Sequence, residues 1–586
     1  MKKTISIILV FIMLASCLPF GASAKETRDY TPVYDKDTPV VLLHGIGQND
    51  TYLIDDEGNR MYDDEGDEIT GWPLEIDIWA LVKKVVPSLL FSAVTRKDAG
   101  LTDKVREGVY DLLWAIHKDN EGNYEYNIEV PSFNGPMSQM PEDLKEMYYN
   151  RMPMQNLKPI IGEENMYVFG YDSLGDIEKT TQLLHKFITE TVLPNSKSGK
   201  VNICPISLGG TLAVSYLGMY PQDYSYIKNM VYVVPAIDGS DIVGDILTGN
   251  LSTSDNDMLY NKLMVALMGD NYTAYLLNML LRVLLPEQLL KDVVLALGEG
   301  VVEAAILNCT QLWALCPTKY YVAAREKWLA DGEHDVIAKK VDAYMQSRAN
   351  FEENQNKLIA GGSKVYDIVC YGLELYPLSK DFASTNSDGI IQSSSTSMGA
   401  TFAPLGETLG ENYKAAGTYC KNLSHNHLSP DGAVDPTTGL LPCTTWYFKG
   451  QSHEALQYND VCLDLAIELM TDDNMTDVYS NPEAYPQYNS HRSTRNTDRM
   501  IRDYNSADKK GISAENIEKL ENAIAVCKAL KNETVINNKE WEKAEDNLYN
   551  AMIDAGLREK EKTNVFEDAF TLITKKLNAA MGKVLP

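Results

Sequence analysis

Six short apolar runs recur along the chain, at 40–43, 166–170, 201–206, 230–234, 365–370 and 444–448. None shows the in–out alternation of a half-exposed strand, so each is predicted to be a strand buried on both faces. Stretches of helical character lie between most of them, for example 176–191 and 210–219. Strands alternating with helices predict an α/β fold: a mostly parallel sheet covered by helices on both faces.

The pattern changes twice. Between 241 and 364 it becomes a series of amphipathic helices, with Leu289, Leu290, Val293, Val294 and Leu297 forming one wide apolar face. From 471 to 510 Asn, Asp, Ser and Tyr dominate, which predicts a linker or surface wrap. Beyond it, 511–586 reads as a small all-α C-terminal module. Ser513 is its first N-cap, and its helices carry Ile517, Leu520, Ile524 and Cys527, then Trp541, Ala544, Leu548 and Met552, then Phe566, Phe570, Leu572 and Ile573. It contains no catalytic pattern, which points to surface binding or spacing with a partner the residues do not name. The acidic stretch 55–68 is predicted to be a solvated turn. A calcium loop would need acids five positions before Gly58 and Gly66, where Leu53 and Met61 stand.

The first two dozen residues read as an address. Lys2 and Lys3 precede an uncharged apolar run from Ile5 to Leu18, and Ala22-Ser23-Ala24 follows. That is a secretory signal peptide over 1–24, so the protein is expected to be secreted or held at the cell surface. Leu14-Ala15-Ser16-Cys17 resembles a lipobox and leaves a lipidated Cys17 as the alternative to cleavage after Ala24. No later run is long and apolar enough to span a bilayer.

Composition narrows the partners. The 586 residues carry 53 Lys+Arg against 82 Asp+Glu, a formal charge of -29. A polyanion would be repelled, so no nucleic acid is expected as a partner. Of the nine cysteines, Cys204 and Cys370 fall in strand-like runs and read as buried thiols. Cys309 with Cys316, and Cys420 with Cys443, are possible disulfides in an oxidising compartment. There is no C-x-x-C and no zinc-type spacing with His, so no metal site is assigned.

The sharpest chemical signal is Cys204-Pro205-Ile206-Ser207-Leu208-Gly209-Gly210, where an apolar strand runs into a serine and then a helix. A helix N-terminus beside a serine supplies unsatisfied N–H groups and positive potential. An earlier strand ends in His44-Gly45-Ile46-Gly47-Gln48. A later one is followed by Asn386-Ser387-Asp388-Gly389-Ile390-Ile391, and the last by Lys449-Gly450-Gln451-Ser452-His453.

These segments together resemble the α/β-hydrolases, and in particular the secreted bacterial lipases and esterases, over roughly 38–466. The resemblance implies Ser207 as nucleophile on a strand-to-helix elbow, Asp388 as the acid, and His453 as the base, in the order Ser, Asp, His. It implies an oxyanion hole made by the backbone N–H groups of Ile46 and Leu208, with His44 structural. The family's G-x-S-x-G has Pro205 in place of its first glycine, so the bend must be made differently. His117, His185 and His334 lie in helical or polar stretches, His425 and His427 precede the last strand, and His491 is in the linker; Asp381 is the rival acid. The family's calcium ligand two residues after the base is replaced by Ala455, so that site is not carried over.

The resulting expectation is a catalytic domain over 25–470 whose 241–364 insertion is a helical lid over an acyl pocket. It would be a serine hydrolase that needs no cofactor, acts on carboxylic esters, chiefly acyl lipids, and touches a lipid interface through the insertion. Two alternatives share the residues: an acyltransferase or an amide or thioester hydrolase on the same triad, and a non-catalytic surface-binding protein on a hydrolase scaffold.

Overall fold

A computed structural model describes residues 30–582 except 64–65, 75–77, 421, 423–424, 426, 490–494, 508, 532–537 and 559–564. Residues 1–24, expected to be a signal peptide, including Cys17, and His491 lie outside the described residues. Among the described residues no helix is long and apolar enough to cross a membrane.

Seven strands form one parallel sheet: β1 (Val40–Leu43), β2 (Met166–Phe169), β3 (Val201–Pro205), β4 (Ile227–Val233), β5 (Lys364–Tyr371), β6 (Thr445–Lys449) and β7 (Tyr488–Asn489). Their spatial order is β7-β6-β5-β4-β3-β1-β2. Period-two geometry sends alternate side chains to opposite faces. Val41 and Leu43 of β1 enter one apolar cluster with Ile203 of β3 and Tyr232 of β4. Val40 and Leu42 enter the other, with Cys204 and Val231. The first cluster is roofed by α1 (Ile177–Lys186), α2 (Gly209–Met219), α6 (Asp335–Ala349) and α7 (Phe351–Ala360), the second chiefly by α8 (Asp460–Thr471). Caps set several of these helices. Asp176 accepts from Lys179 N–H at 3.0 Å before α1, and Asn459 from Cys462 N–H at 3.2 Å before α8. The mixed α/β class with a parallel central sheet flanked by helices is therefore as expected.

The interval 241–364 divides physically. Its second part, carrying Trp313, Ile337, Val341, Tyr344 and Leu358, belongs to the main core as the crossover between β4 and β5. Its first part includes α3 (Asp241–Thr248), α4 (Tyr272–Leu284) and α5 (Glu287–Val301). There Leu259, Leu289, Leu290 and Val294 pack with Leu101 and Val105 of an early helix, Leu101–Leu112, in a separate apolar cluster. The expected single lid is therefore two regions, because burial partners far away in the chain leave no mark on local periodicity.

Two further boundaries differ from expectation. The predicted linker contains β7, which pairs with β6 through Tyr447 and Tyr488, and a helix, Arg495–Ser506. Two residues of strand are too few to show a period. The C-terminal module also splits. Met500 and Tyr504 join Leu520, Ile524, Leu548 and Met552 in one cluster built on α9 (Ala514–Lys531) and α10 (Asn538–Asp554). The last helix, α11 (Val565–Met581), lies instead against α4. There Lys575 pairs with Asp270 at 2.8 Å, Arg282 donates to the Asn578 carbonyl at 3.2 Å, and Phe570 meets Tyr272 edge-on at 5.5 Å. Around the acidic stretch, two antiparallel bridges, Ile54–Arg60 and Tyr62–Glu68, each fold the chain back on itself.

Candidate active site

In an open parallel sheet a crevice forms where the strand order reverses, beyond the C-terminal ends of the strands. Here β1 leads outward to β2 on one side and β3 on the other, and the loops after β1 and β3 face each other across that gap. A Cβ on Gly45 would lie 3.0 Å from Ser207 Cβ and 3.4 Å from its Oγ, which measures how closely the first loop is pressed on the serine.

Ser207 has a backbone φ of 53°, a left-handed conformation that costs an ordinary residue on the order of 1–3 kcal/mol and is held by its surroundings. Its N–H donates to the Val233 carbonyl at 3.0 Å, and its carbonyl accepts from Ala236 N–H at 3.0 Å. Pro205 is still in the strand, so the bend falls on Ser207 itself. The Ile206 N–H, not that of residue 205, supplies the ladder bond to Leu43 at 2.9 Å. That is how the chain turns sharply at Ser207 with a proline two residues before it. The second glycine position is strict: a Cβ on Gly209 would sit 2.6 Å from the Leu43 carbonyl oxygen.

The loops after β5 and β6 bring in the other two groups. His453 Nε2 lies 2.8 Å from Ser207 Oγ, and His453 Nδ1 lies 2.7 Å from Asp388 Oδ2. A carboxylate can only accept, so Nδ1 carries the proton and Nε2 accepts from the serine hydroxyl. Asp388 is fully buried, and its other oxygen accepts from the N–H groups of Ile390 at 3.0 Å and Ile391 at 2.8 Å. The His453 N–H donates to the Asp388 carbonyl at 2.9 Å, clamping the two loops together. Burial of His453 pulls its pKa down, but the adjacent Asp388 carboxylate outweighs this and the net shift is upward.

His44 is placed differently. It is buried beside Tyr171, with ring centroids 3.9 Å apart, and its Nδ1 and Nε2 face the carbonyls of Gly45 at 2.8 Å and Tyr171 at 3.1 Å. Burial lowers its pKa to about 4, so it stays neutral near pH 7 and braces the loop. Among the described residues, neither the Ile46 nor the Leu208 N–H donates to a protein acceptor, whereas the Gly45 N–H is taken by Gln48 Oε1 at 2.6 Å. The other histidines are elsewhere engaged: His185 with Asp223 at 2.6 Å, His334 with Asp331 at 2.7 Å and His117 with the Tyr110 carbonyl at 2.9 Å. Asp381 is exposed and is no partner of His453.

A cavity of about 490 Å³ opens at Ser207, with walls that include Met152, Pro153, Met154, Ile206, Val234 and Leu456. None of its lining comes from 241–364, so the cavity is walled by the 151–154 segment and the loop after His453, not by the insertion expected to cover it. Neither that wall nor the part played by Gln48 is among the residues expected at the site. The Gln48 side chain joins Gly45 N–H to the Arg151 carbonyl at 3.0 Å, while Arg151 pairs with Asp50 at 2.6 Å. The Met152-Pro153-Met154 cluster was the available signal.

The eight described cysteines are free thiols, so neither of the two possible disulfides is formed. Cys309 instead donates to the Leu174 carbonyl at 3.0 Å, and Cys316 is fully buried. The fold and site thus define an α/β protein with a Ser–His–Asp relay at its switch-point crevice. No protein-family model matches the chain, and no curated protein matches it. Among solved structures, the chain is similar to one in "The crystal structure of Tle4-Tli4 complex", at 13% identity, 74% coverage of this chain, 97% of that chain and a TM-score of 0.33.

Proposed function

We propose that the protein is a serine hydrolase of carboxylic esters on an α/β-hydrolase fold, and that its substrates carry an apolar acyl chain. The observation that carries this reading is the continuous relay from Ser207 Oγ through His453 to Asp388, at 2.8 and 2.7 Å. His453 Nε2 takes the Ser207 proton as Oγ attacks the acyl carbonyl, and then delivers it to the leaving alcohol. Asp388 holds the imidazole tautomer and stabilises the imidazolium that forms. The Leu208 and Ile46 N–H groups receive the oxyanion, each worth roughly 3 kcal/mol at comparable sites. Water then enters with His453 as base and releases the acid.

The apolar wall at Met152, Pro153, Met154 and Leu456 supports an acyl chain over a charged or sugar-like group. The test is hydrolysis of p-nitrophenyl esters of increasing chain length by the wild type and Ser207→Ala, together with fluorophosphonate labelling. Labelling at Ser207 and activity that disappears with it are expected. Full activity in Ser207→Ala overturns the reading, and a steady fall beyond the shortest chains removes its acyl-chain part.

A further inference from the structure

Far from the crevice, at the opposite end of β6, four side chains converge that the proposed hydrolysis does not use. Cys420 Sγ lies 3.5 Å from His425 Nδ1. Cys443 Sγ lies 3.9 Å from Cys420 Sγ, 3.8 Å from His425 Nδ1 and 3.6 Å from His427 Nε2. All four ligand atoms lie within 4.8 Å of one another. We propose that Cys420, His425, His427 and Cys443 form a structural site for one zinc-type divalent cation. This inference does not rest on the hydrolase reading.

The distances carry the argument. A tetrahedral zinc, with sulfur at about 2.3 Å and nitrogen at about 2.0–2.1 Å, has edges of about 3.8 Å between sulfurs and about 3.6 Å between sulfur and nitrogen. The four edges measured here fall within about 0.2 Å of those values. The sulfurs are too far apart for a bond of about 2.05 Å, so this is not a disulfide seen slightly open. Two thiolates and two neutral imidazoles balance the charge of a divalent ion, and the two thiol protons leave to solvent on binding.

A supporting shell points the same way. His427 is buried, and its Nδ1 lies 3.1 Å from Gln487 Oε1. The Gln487 amide is fixed in that sense, because its nitrogen donates to the carbonyls of Pro442 at 2.9 Å and Thr445 at 3.1 Å. Nδ1 of His427 therefore carries the proton, and Nε2 presents its lone pair toward Cys443. Tyr479 packs beside both imidazoles, with centroids 4.7 and 6.0 Å away, and its hydroxyl lies 3.5 Å from His427 Nε2. The Asn422 amide nitrogen lies 3.0 Å from His425 Nε2; with a metal on Nδ1 that amide turns to present its oxygen to the Nε2–H. Four protein ligands leave no open position for substrate, so the ion would be structural. It would staple the long excursion between β5 and β6 to the sheet edge, where Tyr488 of β7 also donates to the His427 carbonyl.

The test uses the full chain, purified from its exporting host without chelator, and from a reducing cytoplasm. Metal analysis is expected to find about one zinc per chain, falling at least about tenfold in Cys420→Ser/Cys443→Ser and in His425→Ala/His427→Ala. Should those variants fail to fold, cobalt exchanged into the wild type must give the intense visible bands and thiolate charge-transfer absorption of tetrahedral S2N2 coordination. Mass spectrometry showing a Cys420–Cys443 disulfide in the exported protein overturns the proposal. So does zinc content unchanged in the variants, or wild-type protein with reduced thiols that takes up neither zinc nor cobalt.

Discussion

At the C-terminal end of β6, His453 meets Ser207 and Asp388; at its N-terminal end, Cys443 meets Cys420, His425 and His427. Both constellations gather polar side chains from distant positions, yet they are assembled in different ways. Ser207 and His453 stand within a few residues of the ends of β3 and β6, so strand order brings their loops together, while Asp388 comes from the first part of the excursion after β5 and is held there by the His453 N–H on its carbonyl. Three members of the second come from an irregular excursion whose own regular structure among the described residues is limited to short pieces such as Thr401–Phe402 and Val434–Asp435. Sheet topology does not dictate where such a loop comes back. The first can be found by reading strand ends, while the second emerges only in space.

If the two ends have the separate roles assigned to them, they should fail separately. Ser207→Ala should lower ester turnover by about 10⁴-fold or more with unchanged circular dichroism, because the nucleophile has no substitute. A loss under tenfold would mean that the crevice is not where chemistry occurs. Asp388→Asn should cost about 10³–10⁴-fold, since an amide at that position donates to Nδ1 and turns the imidazole proton toward Ser207. Its measurement is kcat on a short ester, where binding contributes little.

The opposite end should show the reverse profile. Cys443→Ser should leave initial turnover of a short ester within about threefold while lowering the thermal midpoint by several degrees and abolishing stoichiometric zinc. Equal loss of turnover and stability would show that the two ends are coupled through the strand. Gln487→Ala is subtler: it frees the His427 tautomer and should weaken zinc about 10- to 100-fold in a chelator competition.

The smallest expected effect is in pH dependence. His453 must be neutral to act as base, and its pKa lies above the ordinary 6.5, with Asp388 the cause. Turnover should therefore fall as pH drops through a midpoint above 6.5, and the residual activity of Asp388→Asn should show that midpoint moved down. His44, at about 4, does not titrate in that window. An acid limb unmoved by Asp388→Asn would assign the titration to another group.

Much of this was legible in residue order. The six apolar runs coincide with β1 to β6 because a strand buried on both faces must be continuously apolar. Ser207, Asp388 and His453 were readable because each follows such a run in the order their chemistry requires. Less was legible wherever burial depends on a remote partner. The helices of 241–364 look alike in sequence, yet Val341 and Leu358 complete the main core while Leu290 and Val294 pack with Leu101 and Val105. The terminal α11 reads as part of a tail module, yet its Lys575 and Asn578 contacts dock it on α4.

By itself, then, the sequence determined six of the seven sheet strands, their alternation with helices and the three residues of the crevice, because local periodicity and strand-end position are properties of the chain. Tertiary structure alone decided what walls the cavity, which helices belong to the core, and that two cysteines and two histidines with no ligand spacing share a few ångströms. The reason is physical: packing partners and ligand geometry are set by distances in space, and the excursion between β5 and β6 has no repeating pattern through which those distances could be written into the order of residues.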